Sequence, residues 1–238
     1  MAIAYDTVTD GGYGASGGKT FSHTCSGSNR ILFVSTFGAV GSDTVTGVTY
    51  NGVAMTLVKT LLTPTDGRYL GAWVLMNPAS GANNVVISVS SGDTYGMAVS
   101  YTGTAQTGQP DSFGFNSNTF TSSLTTSTNV VASNCWNVYL NRAAYFPPPV
   151  AGTGATLRSA NATYGQGIFD SNGTVGTGSQ SMTCTCSSPG PFSGVLISFA
   201  PSASGPANMK TWDGLATASV KTMGGLAIGS VKTWNGLA

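Results

Sequence analysis

His23 is the single histidine of this chain, so any Ser-His-Asp relay would have to run through it. Ser22 and Asp6 are available on paper. No serine sits in a nucleophile-elbow setting, and His23 reads as a structural residue on a strand. Glycoside hydrolysis would need two positioned carboxylates. The eight acidic residues are all Asp and scattered, and no pair stands out. The expectation is a non-enzymatic protein with no catalytic residue and no cofactor. Asp170-Ser-Asn-Gly-Thr174 is the best set of hard oxygen ligands for calcium, yet the same residues make an ordinary turn, and no metal is expected. Of the four cysteines, Cys184 and Cys186 alternate with threonines and share a strand face with Met182. Neighbours two apart on one strand are badly placed to bridge. Buried thiols are the reading, with one disulfide from Cys25 or Cys135 to that pair left open. A paired CxxC spacing for zinc is missing.

Aromatic rings near expected loops are the remaining chemistry. Tyr145, Phe146, Tyr164 and Phe169 could stack on sugar rings, and the first three are the candidate ligand-facing set. The plain alternative for each is packing. Asn161-Ala-Thr163 and Asn172-Gly-Thr174 match the glycosylation pattern, but Met1-Ala-Ile-Ala-Tyr-Asp6 does not look like a secretory signal.

The elements that must carry these residues are strands. Glu is missing from the chain and only nine residues are Lys or Arg, which removes the usual surface fillers of helices. Glycine, with 33 residues, joins Ser, Thr, Val and Ala in a composition suited to short strands and tight turns. The net charge of +1 offers no basic patch for nucleic acid. No stretch approaches the ~18 apolar residues of a membrane helix. With so few charges, either Ser, Thr and Asn solvate the surface or neighbours cover much of it.

Runs of strand character recur from residue 2 to about 200. Ile31–Phe37 reads as a buried strand. Asn51-Gly52 between Thr44–Tyr50 and Val53–Lys59 is a strong hairpin signal, because both residues tolerate positive φ. Val85, Ile87 and Val89 alternate with polar neighbours, as do Met97, Val99 and Tyr101, predicting half-buried strands. Weaker strands follow near 112–126, then Cys135–Leu140, then strands near 155–161, 165–170, 179–186 and 193–199. Tyr145-Phe-Pro-Pro-Pro149 must be a loop. A dozen short strands imply two packed antiparallel sheets. A jelly roll is the preferred topology and an immunoglobulin-like sandwich the second choice; strand order stays open. The expected domains are a sandwich over 1–200, a linker over 201–207, and a repeat tail over 208–238.

That tail nearly repeats itself with a period of eleven: Met209–Ser219, Val220–Ser230, then Val231–Ala238. Asp213-Gly214, Gly224-Gly225 and Asn235-Gly236 recur at one position, and all are type I′ turn pairs. Hairpins closed there place Trp212 opposite Leu215, Met223 opposite Leu226, and Trp234 opposite Leu237. Carried further, the register sets Leu215 against Trp234 and Lys221 against Ile228. One face then collects Trp212, Leu215, Met223, Leu226, Ile228, Trp234 and Leu237 with three lysines. The other is small and flat. A free meander of this size is marginal in water, and its edges invite pairing. Docking on other subunits or a partner is expected. Docking on the chain's own sandwich, or a solenoid with one coil per repeat, are the alternatives.

Several stretches together resemble a family of β-sandwich proteins encoded by tailed phages and environmental bacteria. They are Val48-Thr-Tyr-Asn-Gly-Val-Ala-Met-Thr-Leu57, Ala72-Trp-Val-Leu-Met-Asn-Pro78, Gly81-Ala-Asn-Asn-Val-Val-Ile-Ser88, and Ala98-Val-Ser-Tyr-Thr-Gly103 with Gln109-Pro-Asp111. Phe169-Asp-Ser-Asn-Gly173 and Val195-Leu-Ile-Ser-Phe-Ala-Pro201 fit the same pattern. The Lys-Thr-x-Asn-Gly-Leu-Ala tail is similar to C-terminal repeats of phage structural proteins. The resemblance covers roughly residues 30–201. It implies a jelly-roll-like fold and a virion or surface role, and it supplies no catalytic residues. The expected function is a structural virion protein (decoration, fibre or tail-associated) assembled in a host cytoplasm. Its partners would be other copies of itself and other virion proteins. A carbohydrate-binding, adhesive module on a fibre or cell surface is the alternative, with a glycan as partner.

Overall fold

A computed structural model describes residues 1–144 and 148–203, and the dipeptides 211–212, 215–216, 222–223 and 226–227. The chain is all-β and antiparallel. Nine strands come first: β1 (Ala4–Gly14), β2 (Lys19–Cys25), β3 (Ile31–Phe37), β4 (Val45–Tyr50), β5 (Val53–Ala54), β6 (Thr56–Leu62), β7 (Tyr69–Met76), β8 (Gly81–Val89) and β9 (Thr94–Thr102). Their pairing is nested: β1 with β9, β2 with β8, β3 with β7, and β4 with β5. The result is a five-stranded sheet, β1-β9-β3-β7-β6, facing a four-stranded one, β2-β8-β4-β5. This is the jelly-roll order. Leu32, Val34, Trp73 and Ala98 of the first sheet meet Phe21, Val48, Tyr50, Val85 and Ile87 of the second. The Asn51-Gly52 turn lies where the sequence places it, with φ of 49° and 76°.

Six further strands add to this roll: β10 (Ser112–Val130), β11 (Trp136–Ala143), β12 (Val150–Ala151), β13 (Thr156–Asn161), β14 (Gln166–Asp170) and β15 (Gly178–Phe199). The order β10-β15-β11-β14-β13 makes a sheet that packs on the outer face of the five-stranded one. Phe33, Leu70, Met97, Val99 and Tyr101 there meet Trp136, Val138, Leu140, Val195, Ile197 and Phe199. The five-stranded sheet is therefore covered on both sides. This corrects the reading of Met97–Thr102 as half-buried. In β9 only Thr102 keeps partial exposure, because Ala98 and Ser100 face the jelly-roll gap.

The weak strands near 112–126 and the two strands 179–186 and 193–199 turn out to be one long ribbon. β10 and β15 run together over 19 and 22 residues, with register shifts between Asn118 and Ser123. Pro189 and Pro191 fall beside those shifts, where a ladder tolerates proline. There the ribbon folds back on itself. Asn116 Nδ2 donates to the Thr125 carbonyl at 2.8 Å and Thr128 Oγ1 to Ser112 Oγ at 3.0 Å. Leu124, Met182, Cys184 and Cys186 then cover Tyr139, Phe169, Phe192 and Leu196 in a third apolar gap.

Both outermost faces carry hydroxyls and amides in place of charges. Thr20, Ser22, Thr24, Asn84 and Ser88 are exposed at one end of the stack, and Ser123, Thr125, Ser127, Asn129, Ser179 and Ser181 at the other. Over the described residues, these groups solvate a surface with few ions.

Candidate functional site

Register brings three aromatic rings into one row. Tyr13 of β1 pairs with Tyr95 of β9, which pairs with Phe37 of β3. Tyr164, from the loop between β13 and β14, closes over the row. It stacks on Tyr13 at 5.2 Å with 1° between the planes, and lies 4.9 Å from Tyr95 and 5.9 Å from Phe37. Two guanidinium groups sit over Phe37, Arg142 at 4.3 Å and Arg68 at 5.1 Å. Arg142 pairs with Asp66 at 2.8 Å, both buried, and donates to the Tyr164 carbonyl at 2.6 Å. Arg68 pairs with Asp93 at 2.9 Å. Tyr95 donates its hydroxyl to Asp10, whose other oxygen accepts from Asn161 at 2.9 Å. Burial, and then the Asp10 carboxylate, push the Tyr95 phenol far up, so it stays protonated. Tyr13 ends the row with 40% of its surface exposed. The arrangement offers a rigid ring, held from below and rimmed by Asp10, Asp93 and Asn161.

Among the ring candidates, Tyr164 belongs to this cluster and is half-buried, while Phe169 is fully buried in the third gap. Tyr145 and Phe146 lie outside the described residues. Tyr13, Tyr95, Phe37, Arg68 and Arg142 were missed. An arginine in the apolar run Val138–Ala144 was the one available signal, since a buried arginine requires partners.

His23 is buried between two hydroxyls. Nδ1 lies 2.9 Å from Thr9 Oγ1, and Nε2 lies 3.1 Å from Ser100 Oγ. Ser100 donates to Asp6 at 2.7 Å, and Ser26 donates to the same carboxylate through its backbone N–H at 2.9 Å. Asp6 thus orients a serine and not the imidazole, which inverts the order of a catalytic relay. Ser22 is exposed on the opposite face. Burial pushes the His23 pKa down to about 4. Burial of Asp6 works against its ionisation, but hydrogen bonds from Ser26 and Ser100 hold its carboxyl below the usual range.

Asp170 receives Arg158 Nε at 2.7 Å, Tyr101 Oη at 3.0 Å and the Asn172 N–H at 3.0 Å. Arg158 also takes the Asn172 side-chain oxygen at 2.7 Å, so a guanidinium fills the place considered for calcium. All four cysteines are free and buried, and they are spread over three separate clusters. Burial raises the Cys184 thiol to about 12 and Cys186 to about 11, which leaves little thiolate at neutral pH. The Cys184–Cys186 spacing keeps both on one face, as read.

In the tail, β16 (Thr211–Trp212) pairs with β17 (Leu215–Ala216), setting Trp212 opposite Leu215. β18 (Thr222–Met223) pairs with β19 (Leu226–Ala227), setting Met223 opposite Leu226. These are two separate two-stranded ladders. Ile228, Trp234 and Leu237, and with them the continuation into a meander, lie outside the described residues. Compared with protein-family models, curated proteins and solved structures, the chain matches none.

Proposed function

We propose that this protein is a non-enzymatic structural component of a tailed-phage virion, in decoration, fibre or tail association. The layered jelly-roll body is displayed, and the repeat tail anchors or oligomerises it. The observation that carries the reading is the pair of successive hairpins in equal register, Trp212 with Leu215 and Met223 with Leu226. Short hairpins repeating at eleven residues bury little by themselves, so they need a neighbour to cover them. Jelly rolls are a recurrent scaffold of capsid and lectin domains, which fits both this reading and the next. Assembly would take place in the host cytoplasm, with other copies and other virion proteins as partners. Deleting residues 208–238 tests it: the truncated protein should stay soluble and disappear from purified particles. Unchanged incorporation refutes the role.

The exposed Tyr13 ring on Tyr164 favours a second reading, a glycan-binding body on a fibre or cell surface. Tyr13→Ser should abolish glycan-array signals seen with the natural chain. An array with no signal for the natural chain removes this reading.

A further inference from the structure

The floor of the third gap changes character along its length. Alternation on β11 and β15 turns Tyr139 and Leu196 into this gap, and with Phe169 they make its apolar middle. Two residues further along the strands, register sets Ser112, Ser198 and Asn137 side by side across β10, β15 and β11. Ser171, just past β14, closes the row, its Oγ accepting the Asn137 backbone N–H at 3.1 Å. Short polar side chains thus stand where the neighbouring row has Leu, Tyr and Phe. Thr128 comes down from the covering half of the ribbon and donates to Ser112 Oγ at 3.0 Å. Asn137 is 1% exposed and Ser198 0%. Asn137 Nδ2, Asn137 Oδ1 and Ser198 Oγ have no protein partner among the described residues. The Cys135 thiol beside Ser198 is a weak donor and is directed to the Ala132 carbonyl at 3.2 Å.

We propose that this row is a binding site for an ordered water molecule that bridges Asn137 and Ser198. Buried polar atoms left unpaired cost more than immobilising a water does. The chemistry of the row selects the guest. The Asn137 amide offers a donor and an acceptor, and the Ser198 hydroxyl can act as either, so the guest must do both. A metal ion would find one amide oxygen and one hydroxyl, too few hard ligands. The neighbouring carboxylates are engaged elsewhere. Asp111 takes the Val131 and Ala132 N–H groups at 2.9 Å, and Asp170 accepts from Tyr101 in the main gap. A water needs roughly two to four polar partners, and Asn137, Ser198 and the Ser112 hydroxyl supply them. Asn141, at the other end of the same gap, also has an unpartnered amide. There Tyr139 and Pro149 close in over Gly194 and Gly167, so the room for a guest is at Asn137.

Nuclear magnetic resonance on the full natural chain tests the site directly. The Asn137 side-chain amide protons should show water cross-peaks of opposite sign in laboratory-frame and rotating-frame experiments, the signature of a long-lived water. An Asn137 amide without such cross-peaks overturns the proposal. Oxygen-17 relaxation dispersion then counts the long-lived waters. Asn137→Leu with Ser198→Ala should hold at least one fewer per chain than the natural protein. Ser127→Ala, on the exposed outer face, should hold as many. An equal count in the folded double variant overturns the site. Ser198→Ala alone removes a single oxygen and keeps the Asn137 amide. It should shorten the residence time of the water about tenfold, the worth of one hydrogen bond. An unchanged residence time in that variant removes Ser198 from the site and overturns the bridge.

Discussion

His23 is the residue whose environment has the clearest consequence for stability. Its folded pKa of about 4 lies below the usual 6.5, because burial disfavours the charged ring. The unfolded chain binds a proton as pH falls through 6.5, whereas the folded chain waits until about 4. Stability is thus complete above pH 6.5 and declines between 6.5 and 4, by at most about 3 kcal/mol. The Asp6 contribution has the same sign but is lost only below the ordinary carboxylate range. We expect urea midpoints to fall from pH 7 to pH 4 in the natural chain. They should stay nearly flat over that window in His23→Gln, whose amide keeps a donor and an acceptor. An equal slope in both would assign the acid loss elsewhere. That His23 lies on a strand was legible in the sequence. Its partner Ser100 was not, since the β1–β9 and β3–β9 pairings that bring the two together are non-local.

At the level of elements, local chemistry decided the turns and long-range packing decided the strand lengths. Asn51-Gly52 could be read directly, because the φ values it needs are ones only a few residue types adopt. The β10–β15 ribbon could not. Ser187–Pro191 has turn composition, yet the ladder continues on both sides of it because each half covers an apolar face. The fold-back depends on close approach at Gly114, where a Cβ would collide with the Ser127 carbonyl. Gly114→Ala should lower stability by about 1–3 kcal/mol, as overpacking does. Gly47→Ala, in β4, meets open space at ordinary φ and should stay within about 0.5 kcal/mol. Chemical denaturation of both variants checks this, and equal midpoints would mean that the two halves of the ribbon do not press together.

For the whole molecule, the central five-stranded sheet is shared by two gaps. A chain ending at residue 104 would keep every jelly-roll strand but bare Phe33, Leu70, Val74, Met97, Val99 and Tyr101. It should aggregate or bind a hydrophobic dye strongly, whereas the full chain should do neither; a soluble, dye-silent fragment would show that the jelly roll is independent of the second sheet. Composition alone determined that this is an all-β protein; whether Ser, Thr and Asn or neighbours cover its weakly charged surface stayed open at that level. Without Glu and with few Lys or Arg there is no helix surface to build, and alternation every second residue assigns a strand's two faces. Turn pairs at a period of eleven likewise determined the hairpin register of the described tail pairs. Strand order was decided only in three dimensions. Ala4 pairs with Thr102, and Tyr13, Tyr95, Phe37 and Tyr164 meet from four separate parts of the chain. Alternation tells a strand which side is apolar but not which distant strand will cover it. That choice is made by the collective burial of the three gaps, and the aromatic row is its by-product.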